Sequence, residues 1–254
     1  MAKVIRDFFR SQRVKAARAG VKILNRQQEG QKAVGDGEDD EFASMGPDWA
    51  LLVPALKKRL AAVGQAAAAD AIASLNVEAA DMLALADKGA IDFASTRAAE
   101  MVGMRYDANG DLVSNPDAKW AISEDTRDFL REQVETALKE GWSAKDLTDA
   151  IVGGAKFDDG RAERIAQWEL VNAHAQSNQI AWRASGMVQG KQWIMSEAHG
   201  EEDDCDDNAD AGVIDLDADF PSGHGTNPAH PACLCDVVAI LLPLADAGTD
   251  EGEG

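Results

Sequence analysis

Cysteine is scarce, with three residues in 254, an odd and small number that excludes a disulfide-stapled secreted scaffold. Aromatic residues make up only 6 % while alanine is abundant, which excludes a broad β-sandwich and favours thin, closely packed helices. No apolar run approaches the length of a membrane-spanning helix, so no membrane partner is expected. Basic residues are few, 25 against 45 acids for a formal charge of −20, which excludes a protein that coats nucleic acid with its whole surface. From Gln192 to Gly254 there is no Lys or Arg at all, against sixteen acids. Gly-rich phosphate loops, G-x-S-x-G and H-E-x-x-H are all absent, so no enzymatic turnover is expected.

What is present is unevenly placed. Residues 1–35 carry a net charge of +7, leaving −27 on the remainder. This segment reads as a basic N-terminal arm, with Val4, Ile5, Phe8 and Phe9 on one helical stripe that Val14, Ala17 and Val21 continue. Its charge suits contact with DNA or an acidic surface. Residues 36–48 read as an acidic linker, 49–120 as a helical region, 121–243 as a loop-rich α+β module, and 244–254 as a disordered acidic tail. The fold class is therefore α+β, mainly α.

Local signals place the elements. A helix is expected from Trp49 to about Lys88, interrupted by a cap at Asn76, with another after Ile91 that ends near Gly103. Asn109-Gly110 suggests a short hairpin. Ser123 is a candidate N-cap for a helix stopped by Gly141, and Ser143 with Asp146 resembles a capping box. A long helix follows from about Arg161 to Ser185, then short strands at 187–188 and 192–195, irregular chain over 196–232, and a strand over 237–242.

Three constellations carry chemistry. Cys205, His230, Cys233 and Cys235 are thiolate and imidazole donors of the kind zinc prefers, and four of them close a tetrahedral structural site. Their convergence would clip a segment too polar to fold on its own core. His199 and His224 are spare donors. The acidic run 201–207 and the spacing Asp215-x-Asp217-x-Asp219 suggest Ca²⁺ or Mg²⁺, but the EF-hand template fails at Ala209, and a solvated face is the simpler reading. On the long helix, Ile165, Glu169, Asn172, Gln176 and Ile180 share one face, flanked by Ala162, Ala166 and Ala173. Glu169 there needs a partner, such as a neighbouring backbone group or an arginine, or else a catalytic role with a raised pKa.

The order of motifs resembles the phage Mu F-like minor head proteins, the phage head morphogenesis family. The matching residues are Phe93, then Arg97-Ala98-Ala99-Glu100-Met101-Val102-Gly103; Arg161-Ala162-x-Arg164-Ile165-Ala166-x-x-Glu169; and Gly186-x-Val188-x-Gly190-Lys191-x-Trp193. Cys205-x-x-Asn208, Gly212-x-Ile214, Phe220 and Pro228-x-His230-Pro231-x-Cys233-x-Cys235 complete the series. The similarity runs over roughly residues 90–242 and gives Arg161, Arg164, Glu169 and Trp193 as structural motif positions. Three departures stand out: Gln167-Trp168 before the glutamate, Leu234 between the last cysteines, and Asn208 where many members carry a fourth cysteine.

The resemblance implies a minor structural protein of a tailed-phage head. It would meet the portal or major capsid protein, be assembled in the bacterial cytoplasm, and act in head morphogenesis or genome delivery. Some relatives in that family carry a further C-terminal domain, which the short stretch after the last expected strand leaves no room for. The rival expectation is a metal-dependent hydrolase or nuclease using the Cys/His set and the acidic run.

Overall fold

The computed structural model describes residues 1–28, 48–75, 80–118, 121–199, 203–230 and 232–242. The expected tail, most of the expected linker and the Asn76 cap lie outside the described residues. The fold is α+β and mainly helical, as the composition indicated. It divides into two compact units that interleave along the chain, whereas the sequence suggested consecutive segments. Unit 1 is Met1–Val63 with Ile91–Ala173, and unit 2 is Gly64–Ala90 with His174–Gly254.

Unit 1 is built on α1 (Ala2–Gln28), α4 (Ile122–Glu140) and α5 (Ala144–Gly153), together with the first part of α2 (Val53–Ser74), the latter part of α3 (Ala80–Glu100) and the first half of α6 (Asp159–Ser185). A two-stranded hairpin, β1 (Met104–Tyr106) and β2 (Leu112–Ser114), closes over Asn109-Gly110, as expected. Asp107 Oδ1 accepts the turn N–H groups of Asn109 at 2.8 Å and Asp111 at 3.0 Å.

The basic segment is not a separable arm. Ile5, Phe8, Phe9, Ala16, Ala17, Ile23 and Leu24 are buried in the unit 1 core, at the three-to-four residue spacing a packed helix requires. Phe9 meets the Phe157 ring edge-on at 5.9 Å, and the Arg161 guanidinium lies 5.4 Å above Phe9. Val14, assigned to the apolar stripe from sequence, is instead exposed. Part of the arm's charge is used inside its own chain. Arg6 bonds Glu163 at 3.0 Å, and Arg10 bonds Asp159 at 2.5 Å, both acids lying in the first turns of α6. Opposite charge thus draws the segment onto its own chain, while Lys15, Arg18 and Lys22 stay exposed.

Other local readings divide. Gly141 caps α4 with φ +70°, and the Ser143–Asp146 capping box opens α5. Ser123 is not the cap: α4 starts at Ile122 with Ala121 in the capping position, which puts Ser123 inside the first turn. Residues 80–100 form one helix, because Gly89 lies on a close helix–helix contact (an added Cβ would stand 2.5 Å from Ile180 Cγ2) and does not break the turn.

Unit 2 holds an antiparallel sheet in the order β4 (Val213–Asp215), β3 (Val188–Ile194), β5 (Asp236–Leu241). The two short strands expected around Gly190 are one strand, with Gly190 paired to Asp215 on one side and Ile240 on the other. Glycine is required there, since a Cβ would stand 2.6 Å from the Ile214 carbonyl oxygen. Gly190→Ala should therefore lower stability by about 1–3 kcal/mol, read as a shift in the urea midpoint, by forcing β4 away. The expected irregular stretch also contains a short helix, α7 (Asp204–Asp210). Against the sheet pack Trp193 and Phe220, edge to face at 5.1 Å, with Trp182, Val188, Leu216, Val237 and the three cysteines. Among the described residues no helix is long and apolar enough to cross a membrane.

Candidate metal centre

The centre forms where three segments of unit 2 meet. The first follows β3: a turn at Ser196, whose carbonyl accepts the His199 N–H at 3.0 Å, presents His199. The second is the start of α7. Asp203 accepts the Cys205 N–H at 2.8 Å and its own N–H donates to Asp206 at 2.8 Å, a capping box that fixes Cys205 in the first turn. The third runs from His230 to Cys235. The Cys233 N–H donates to the His230 carbonyl at 3.1 Å, and Ala232 takes φ +64° to close that turn. A left-handed alanine costs roughly 1–2 kcal/mol, so Ala232→Gly should raise thermal stability slightly if the turn keeps its shape.

Hydrogen bonds brace the chain around the centre, one of them to the third segment itself. Asn208, fully buried, donates to Ser222 Oγ at 2.9 Å and accepts the Ser222 N–H at 3.0 Å. Asn227 donates to the Cys235 carbonyl at 3.0 Å. The Gly225 carbonyl receives both Lys191 Nζ and Gln179 Nε2 at 2.5 Å. Lys191 is itself buried and lies over the Phe220 ring at 5.3 Å; burial, reinforced by Arg183, pushes its pKa down.

Cys205 is the hub. Its Sγ lies 3.2 Å from His230 Nε2 and 3.6 Å from Cys233 Sγ. Donors at zinc bond lengths in a tetrahedron stand roughly 3.5–3.8 Å apart, which the sulfur–sulfur distance meets and the sulfur–nitrogen distance undercuts by about 0.3 Å. Cys205, His230 and Cys233 offer ligand atoms all within 4.8 Å of one another, and so do Cys205, Cys235 and His199. The four donors expected from sequence therefore gather around Cys205 but fall into two groups, and His199 joins one of them. A third group is His199, Asp203 and Asp206. His199 Nε2 stands 2.9 Å from Asp206 Oδ2, and His230 Nε2 stands 3.1 Å from Asp203 Oδ2.

Without a bound cation the Cys205 thiol stays protonated. Burial pushes the Cys205 thiol pKa far up, and the neighbouring Cys233 and Cys235 push it further. Three thiolates cannot gather there without a compensating positive charge, which a divalent ion supplies while displacing the thiol protons. The Cys205 N–H holds Asp203 below the usual carboxylate range, and the Asp203 N–H does the same for Asp206, so both carboxylates are ionised near neutral pH. The donor set thus fits a metal, with capacity for thiolate, imidazole and carboxylate ligands.

The remaining site expectations resolve to fold contacts. Glu169 is 3 % exposed and receives Arg97 in a bidentate pair, Nε at 2.9 Å and Nη2 at 2.6 Å. Arg97 is buried as well; burial alone would lower its pKa, but Glu169 holds it above the ordinary value. Arg161 donates to Thr126 Oγ1, the Lys156 carbonyl and the Ile122 carbonyl at 3.1, 2.8 and 3.1 Å. Arg164 is exposed, and Trp193 is a core residue. The buried face of α6 in unit 1 runs through Ala162, Ala166, Glu169 and Ala173, beside the expected stripe, so Asn172 is only half-buried. His224 bonds Ser222 at 3.1 Å and stands apart from the cluster, while Asp217 pairs with Arg183 at 2.6 Å.

Sequence reasoning missed Asp203 and Asp206 as neighbours of the histidines, because a run of acids reads as solvated surface. It also left Glu169's partner unnamed; Arg97, a lone cation among alanines, was the available signal. Comparison with known proteins returns no match: no family model, no curated protein and no solved structure is similar enough to the chain to place it in a family.

Proposed function

We propose that the chain is a structural protein of a tailed-phage head, without catalytic turnover, whose unit 2 is held together by zinc at the cluster around Cys205. The head assignment rests on the motif order in the sequence, and the portal or major capsid protein is its partner on that reading. The observation that carries the non-catalytic part is the use made of those motif positions. Arg97 and Glu169, from two separate motif segments, neutralise each other in a buried bidentate pair; Arg161 satisfies backbone carbonyls; Trp193 fills a core. A general acid or base must reach substrate, and Glu169 does not. Among the described residues, the exposed Lys15, Arg18 and Lys22 are available to DNA or an acidic partner.

Zinc suits the cluster better than magnesium or calcium, because soft thiolates select it over ions that take oxygen ligands. Bound there it would cross-link the segment after β3, the start of α7 and the chain entering β5. The test of the head assignment is tagged protein in an infection: it should sediment with heads, and loss of the gene should give assembly or infectivity defects. Complete, infectious particles that lack the protein would overturn it.

One observation favours a second reading, a metal-dependent hydrolase or nuclease. Each Cys/His group brings three protein donors, and catalytic zinc keeps a fourth position open for water. On that reading the zinc-loaded chain should cleave an activated ester or a phosphodiester, and the metal-free chain should not. A loaded chain inactive on both would remove it.

A further inference from the structure

The cluster contains more donors than one tetrahedral ion can use. Three thiols, two imidazoles and two carboxylates converge, and they divide into two Cys/His groups that share one atom, Cys205 Sγ. Cys233 and His230 lie in one group, Cys235 and His199 in the other. A carboxylate stands against each histidine, Asp203 Oδ2 at 3.1 Å from His230 Nε2 and Asp206 Oδ2 at 2.9 Å from His199 Nε2, and Asp203 Oδ1 also lies 3.8 Å from His199 Nε2. We infer that the centre binds two divalent ions bridged by the Cys205 thiolate, the first held by Cys205, His230 and Cys233, the second by Cys205, His199 and Cys235, with Asp203 beside His230 and Asp206 beside His199.

Several features of the chain support the arrangement. A thiolate sulfur has more than one lone pair and can bind two soft ions at once. Cys205 is the most enclosed of the three thiols, at 0 % exposure, and its sulfur is the atom the two groups share. Both carboxylates are fixed by the same capping box that positions Cys205, so one local structure orients three of the seven donors.

This inference rests on the zinc reading above, and its test separates the two. The full chain, stripped of metal and titrated with Zn²⁺, would be weighed by native mass spectrometry. Two ions per chain are expected for the unaltered protein. Cys233→Ser and Cys235→Ser should each retain one ion, and Cys205→Ser should lose tight binding of both. Co²⁺ gives a measurement that needs no variant. Two cobalt ions sharing a thiolate couple magnetically, so the paramagnetic signal should grow with the first equivalent and fall with the second. Saturation at one ion, with a signal that only grows, would overturn the bridged pair and leave the single-zinc reading standing. A chain that takes up no ion would overturn both.

Discussion

Removing metal from the chain is expected to unfold the part of unit 2 built around α7 and the approach to β5, while unit 1 keeps its helices. Structural zinc contributes about 10–16 kcal/mol of apparent binding free energy in small modules, and binding to the folded state alone adds to its stability. The start of α7 is short on other support: the helix has seven residues, and the acids Asp203, Asp204, Asp206 and Asp207 crowd one turn. Hydrogen exchange on zinc-loaded and chelated protein should show the amides of Cys205, Asn208 and Cys233 losing protection on chelation. Those of Leu130 and Ala166, buried in unit 1, should not change. Cys205→Ser should reproduce the chelated pattern. Equal protection with and without metal would mean that the Trp193–Phe220 core suffices and that the cysteines merely pack.

Glu169→Ala is expected to cost roughly 3–5 kcal/mol, because it leaves the Arg97 guanidinium buried without its carboxylate. An ordinary lost hydrogen bond would cost less, about 1–3 kcal/mol, so the size of the effect reports on the charge. Arg97→Ala should be similarly damaging. The double replacement Arg97→Met with Glu169→Leu should recover most of the loss, since a well-packed apolar pair often matches a buried ion pair. Urea denaturation of the four proteins checks this as a double-mutant cycle. If Glu169→Ala instead kept full stability while a hydrolytic activity disappeared, Glu169 would be a catalytic group.

The contrast between what the sequence disclosed and what it concealed has a physical basis. Signals confined to one turn were legible: the capping box at Ser143, the glycine stop at Gly141 and the hairpin at Asn109-Gly110 depend on neighbouring residues alone. The metal cluster was half legible. Donor chemistry identified Cys205, His230, Cys233 and Cys235, but their partition into two groups depends on how chain segments far apart in sequence meet. The basic segment was misread because net charge says nothing of which face packs. Ile5, Phe8 and Phe9 bury one side of α1 while Arg6 and Arg10 reach acids about 150 residues away. The expected gaps after Lys88 and after Val188 do not exist: Gly89 and Gly190 mark close approaches inside continuous elements, where any side chain would collide.

The most direct test of a closed, structural, thiolate-rich centre is X-ray absorption at the zinc edge on the full chain purified without chelator. Stoichiometric zinc is expected, with sulfur at about 2.3 Å and imidazole nitrogen in its first shell, unchanged when competing small anions are added. A folded chain free of zinc would contradict it, and so would a shell in which an exchangeable water is replaced by the added anion.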